Sequence, residues 1–176
     1  MTAAEFLQKA EKQYEERFTL SHDISCCGHA FPMLAQYQTT ENRYLMGIPG
    51  TVARKGTYGE KCFFDVCGLL DMQLAEQYIQ LFCRMHDSVA LDHDPMREFT
   101  FISFVICAER TEKSALKKLR RLHDYRTYEY GWSSLRVCIF DLSNETYYYN
   151  GMGKAVKECL TRDHIPEGRK KFLGII

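Results

Sequence analysis

Four side chains able to bind soft metals or act as nucleophiles crowd into "HDISCCGHAF": His22, Cys26, Cys27 and His29. A thiol beside an imidazole can form an activated nucleophile, and Cys with His is a ligand set for zinc. Structural zinc sites, however, draw on a second pair of ligands elsewhere in the chain, and no second cluster with that spacing occurs. The two cysteines also adjoin, so on extended chain their side chains would point to opposite faces. C-x-x-C redox spacing is missing, and no activating neighbour for a nucleophile is spelled out. The stretch is a candidate thiol or zinc site, and the preferred reading expects neither metal nor cofactor.

Carboxylates offer a second chemistry. Helix, meander, helix and strand in that order are also the order of metal-dependent nuclease folds, whose sites set an acid on one strand and an acid and a lysine, one residue apart, on the next. Asp65, Glu109 and Asp141 could supply acids, yet the chain contains no D-x-K or E-x-K. Lys113, Lys117 and Arg121 recur at helical spacing in "TEKSALKKLRRLHDYR" and could meet phosphates. They lie opposite a leucine stripe, and the plainer reading is a solvated helix face. "GMGK" is too short to cradle a phosphate, although a helix starting there, with Lys154, could attract an anion. Phosphate loops, dinucleotide fingerprints, nucleophile elbows and zinc-protease motifs are all missing.

The elements that would position these residues read as follows. "TAAE" is a capping box, Thr2 with Glu5, opening a helix whose Phe6, Leu7, Ala10, Tyr14 and Phe18 share a face. "HDISCCGHAFP" reads as a loop or irregular strand. Four short strands, "MLAQYQ", "RYLMGI", "TVARKG" and "KCFFDV", are expected between "TTEN", "PG" and "TYG" turns. Apolar residues at 70, 74, 78, 81 and 85 predict a second helix, and "DSVALDHDP" a polar connection closed by Pro95. "EFTFISFVICAE" is apolar on both faces, as in a central strand. Thr111 is the expected cap of a third helix carrying Ala115, Leu116, Leu119 and Leu122 inward. "RVCIFDL" and "TYYYN" predict a hairpin, "GMGKAVKECL" a last helix, and residues 165–176 a tail. These elements sum to a single α+β domain over 1–176, a mixed, mainly antiparallel sheet flanked by helices, with one parallel pair across residues 98–142.

Lys+Arg and Asp+Glu balance at 23 each, which argues against a surface built wholly for nucleic acid or anionic membrane and leaves self-association open. The opening residues carry no secretory pattern, and no apolar run approaches membrane-span length. The eight cysteines therefore suit a cytoplasmic chain with reduced thiols.

"YGWSSLRVCIFDLSNETYYYNGMGKAV" resembles the C-terminal pattern of a family of small bacterial proteins, many Gram-positive, known as a domain of unknown function. Gly131-Trp132, Leu135-Arg136, Asp141-Leu142, Tyr149-Asn150 and Gly153-Lys154 carry the likeness. The resemblance implies no catalytic residue, cofactor or substrate. Arg136 stands out physically, because a guanidinium in an apolar strand needs a partner. Asp65, Asp141 or Glu129 could pair with it; alternatively, with Trp132, Tyr149 and Lys154, it could line an anion site. The function expected is a binding or regulatory module without catalysis, taking a small anionic ligand or a protein partner. A metal-dependent phosphoester or nucleic-acid enzyme is the alternative.

Overall fold

A computed structural model describes residues 1–44, 52–90, 97–128 and 131–161. Helix α1 (Ala3–Tyr14) opens with the predicted capping box: Thr2 Oγ1 accepts from the Glu5 amide and Glu5 Oε2 from the Thr2 amide. Strands β1 (Thr19–Cys26), β2 (His29–Tyr44) and β3 (Val52–Leu70) follow as an antiparallel meander. Then come α2 (Met72–Ala90), β4 (Arg97–Thr111), α3 (Lys113–Arg120), β5 (Tyr125–Thr127), β6 (Trp132–Asp141) and β7 (Thr146–Tyr149). A 3-10 turn over Gly151–Gly153 leads into α4 (Lys154–Thr161).

The fold is α+β, a mixed sheet in the order β1-β2-β3-β4-β6-β5, with β7 also on β6. β3, β4 and β6 run parallel and the remaining pairs are antiparallel. The expected parallel pair across 98–142 is β4 with β6; a second, β3 with β4, forms through α2. Phe63, Ile102, Phe104, Ile106, Leu135, Val137 and Ile139 point to one face, where α2 and α3 cover them. Cys62, Phe64, Val105, Cys107, Cys138 and Phe140 point to the other, against α1 and α4. This alternation is why β4 and β6 read as apolar throughout.

Several sequence expectations give way. As far as the described residues go, the expected short strands are parts of two long ones: "TTEN" lies within β2 and "TYG" within β3, because Thr39, Thr40, Thr57 and Tyr58 keep paired strand register. Backbone pairing supplied by the neighbouring strand outweighs local turn preference. Of the two readings of "HDISCCGHAFP", the irregular strand holds and the loop does not. The stretch contains the β1–β2 turn, at Cys27–Gly28, and Asp23, where φ is 51°. Leu20 packs on the α1 side of the sheet but Ile24 and Cys26 on the α2 side, so β1 changes face at Asp23. Thr111 does not cap α3; Glu112 holds the N-cap position, and Thr111 Oγ1 instead donates to Asp141 Oδ2 at 2.5 Å. β5 is not foreseen at all. The "PG" turn, Pro95, Glu129 and the 165–176 tail lie outside the described residues.

β5 and β7 share one edge of β6, pairing with its two ends at Trp132–Ser134 and Cys138–Asp141. Between them Asn150 acts as a piece of strand. Its backbone amide donates to Val137 O at 3.1 Å, and its side-chain Oδ1 accepts from the Val137 amide at 3.0 Å. Its Nδ2 donates to Leu135 O and Leu122 O, and Oδ1 also accepts from the Gly153 amide at 2.8 Å. A Cβ on Gly153 would lie 2.1 Å from Val137 O, so only glycine fits there. Asn150→Ala removes four hydrogen bonds at once, three of them fully buried, and should cost about 3 kcal/mol. Gly153→Ala should lower the urea midpoint as well, while surface Met152→Ala leaves it in place.

Candidate functional site

Arg136 is buried on the α1 side of β6 at 3% exposure. Among the described residues its partner is neither Asp65 nor Asp141 but Glu60 of β3, two strands away, with Nη1 3.4 Å from Oε2. The guanidinium crosses β4 by lying flat over Phe101, with Cζ 3.2 Å from the ring centroid, and Ser103 donates to Glu60 Oε1 at 2.6 Å. Among the described residues its Nε finds no acceptor. Burial pulls the Arg136 pKa down and the Glu60 carboxylate opposes that pull.

Beyond this pair, towards the N-terminal ends of the parallel strands, lies an aromatic tier. Phe99 and Phe101 each contact Trp132, at 5.1 and 5.3 Å between ring centroids, and Tyr58 contacts Phe99 at 4.8 Å. Tyr125 from β5 stacks on the outside of Trp132 at 5.5 Å. Arg136 and Trp132 therefore share one region. Tyr149 pairs with Cys138 further along β6, and Lys154 is exposed on α4, 3.7 Å from Glu158.

The acids are separated too. Asp65 accepts from Tyr78 at 2.8 Å and contacts His29 Nε2 at 2.6 Å. Asp141 organises the β6–β7 turn through Ser143, Asn144 and Thr111, the turn-binding role its place in the sequence suggests. Glu109 lies on β4, between those two strands and exposed. Among the described residues no three His, Cys, Asp or Glu side chains form a metal-holding group. His22 contacts Glu11 on α1, and His29 contacts Asp65, so the two histidines are drawn to different partners. Lys113, Lys117 and Arg121 all face solvent.

A constellation the sequence gives no signal for lies at the end of α2. His86, wholly buried, has Nδ1 2.8 Å from Asp124 Oδ2 and Nε2 2.5 Å from Ser133 Oγ. Burial lowers the His86 pKa, although the bond to Asp124 works the other way. In the neutral ring Nδ1 must donate, since Asp124 only accepts; Nε2 then accepts from Ser133, whose oxygen accepts from Tyr128 OH at 2.8 Å. Arg126 clamps Asp124 from outside and also pairs with Asp87. The bonding order is that of a Ser-His-Asp nucleophile. Ser133, however, is 1% exposed, so its hydroxyl faces the core and fastens α2 to the sheet. Residues 86, 124 and 133 meet only through the tertiary fold, which no motif could announce.

These features define a mixed-sheet α+β protein with buried polar anchors and one aromatic end. The chain belongs to the family described as a domain of unknown function, DUF8052, whose model matches residues 2–162. No curated protein and no solved structure matches it. No helix among the described residues is long and apolar enough to cross a membrane.

Two predictions follow from the buried charges. Below about pH 6.5 the unfolded chain protonates His86 before the folded one does, so stability falls until the lower folded pKa is reached and then levels off. Denaturant melts between pH 7 and 5 should show a slope that is reduced in His86→Gln, against a lower stability at pH 7. Arg136→Met strands the Glu60 carboxylate and should cost about 3 kcal/mol, much of it recovered in Arg136→Met/Glu60→Gln.

Proposed function

We propose that the protein is a binding module acting without catalysis, and that its contact surface is the Tyr125–Trp132–Phe99 stack. Its partner on this reading is a protein surface, a second copy of the chain being the first to test. Tyr125 carries the argument: its ring stacks on Trp132, yet 57% of the residue faces solvent. Rings that are apolar on their faces and polar at one tip gain most when a partner covers them. Phe99 and Phe101 beneath are buried, so the outer rings rest on a rigid base. The formal net charge of zero removes the repulsion that would keep two copies apart. A small anion is less well supported, because it would compete with Glu60 for a buried Arg136. Eight free thiols favour the cytoplasm, and the resemblance of residues 130–156 favours a bacterial, Gram-positive source.

Trp132 is the only tryptophan, so its emission reports this surface alone. With rising protein concentration the emission should shift to shorter wavelength while the sedimentation coefficient grows. Tyr125→Ser should abolish both without lowering the melting temperature appreciably. Concentration-independent behaviour of the wild type would remove the second copy as partner. Quenching by phosphate or a nucleoside monophosphate, lost in Arg136→Met, would replace the protein partner with a small anion.

A further inference from the structure

The β1–β2 turn contains a cysteine that neither packing nor turn chemistry explains. Cys26 pairs with His29 across the hairpin, and the two residues between them, Cys27 and Gly28, have φ of 51° and 78°. A two-residue turn with positive φ at both positions favours Asn, Asp or Gly at the first. A cysteine there carries the left-handed conformation at a cost. Burial does not offset that cost, since Cys27 is exposed.

The same backbone setting overturns the expectation that the adjacent thiols diverge. Cys27 Sγ lies 3.5 Å from Ser88 Oγ on α2, and Cys26 packs against the core on the same α2 side of the sheet. The positive φ at Cys27 breaks the strand alternation, so that both thiols lie on the α2 side of the sheet, Cys27 at the end of α2 itself. They are poorly placed for a direct bond: neighbouring Cα atoms stand about 3.8 Å apart, below the roughly 4.4 Å at which ordinary disulfides begin. A single atom inserted between the sulfurs relieves that shortfall. Among the described residues no third Cys, His, Asp or Glu completes a metal-holding group with them. The pair therefore suits a centre satisfied by two thiolates and a substituent of its own.

We propose that Cys26 and Cys27 form a two-thiol chelating site for thiophilic trivalent arsenicals. With an organoarsenic(III) oxide, both S–H bonds break and two As–S bonds form. The oxide oxygen leaves with the two protons as water, and no atom changes oxidation state. Burial and the neighbouring Cys27 raise the Cys26 pKa, so Cys26 enters the reaction as a thiol and its proton leaves in that water.

Phenylarsine oxide added to the folded full-length chain should give one adduct by native mass spectrometry. That adduct should survive excess 2-mercaptoethanol and be removed by 2,3-dimercaptopropanol. Cys26→Ser and Cys27→Asn should each lose it, the second while folding at least as stably as the wild type, because Asn suits the turn. Cys83→Ser, on α2, should retain it. A wild type that takes no dithiol-reversible adduct, or an adduct that persists in Cys27→Asn, would overturn the proposal.

Discussion

One asparagine makes, at the middle of β6, the hydrogen bonds that a missing length of strand would otherwise make. β5 and β7 come from opposite sides in sequence and each covers one end of the same edge, leaving Leu135–Val137 between them. An uncovered run of backbone beside the core would carry a desolvation penalty at each group. Asn150 has both a donor and an acceptor on a short side chain, so it can satisfy N–H and C=O groups on one strand and reach Leu122 as well. The placement of β5, β7, the 3-10 turn and α4 all follows from that bracket.

On the opposite face a different device performs a similar task. Tyr78, Phe82 and His86 lie one turn apart along α2 and form its inward stripe. The outer two end in carboxylate networks, Asp65 with His29 and Asp124 with Arg126, while Phe82 stacks on Phe104 at 3.7 Å. Apolar contact presses the helix to the sheet without fixing where along it the helix rests; directional bonds at two points fix the position. Buried polarity in this protein thus serves placement, while Tyr125 stays the most exposed of its large hydrophobic residues among those described.

Much of the scaffold was legible in the sequence, because it depends on periodicity. The capping box at Thr2, the helical stripe from 74 to 85 (Leu70, counted with it, ends β3) and the doubly apolar β4 and β6 each follow from a pattern within one segment. What escaped depends on distant pairing. "TTEN" and "TYG" look like turns until each is given the other as a strand neighbour. Arg136 announced that it needed a partner, but Glu60 is reached only across an intervening strand and over the ring of Phe101. The His86 network draws single residues from α2, β6 and the segment before β5, and the placing of Cys26 and Cys27 on one side of the sheet turns on one dihedral angle.

The position of β4 bears on the life of the chain before it is folded. From Phe99 to Ala108 it is ten residues without a charge, rich in aromatic and β-branched side chains. Both neighbours in the sheet, β3 and β6, reach it only through intervening helices. Its backbone therefore has no local partner and waits on two long loop closures, a topology that folds slowly. In that interval the segment has the composition that pairs readily with copies of itself. Glu98 on one side and Glu109-Arg110 on the other set charges at both ends of the run, where stacking of identical strands would bring like charges together. The strand that gives the finished protein its deepest core is thus the part of the newborn chain most in need of protection.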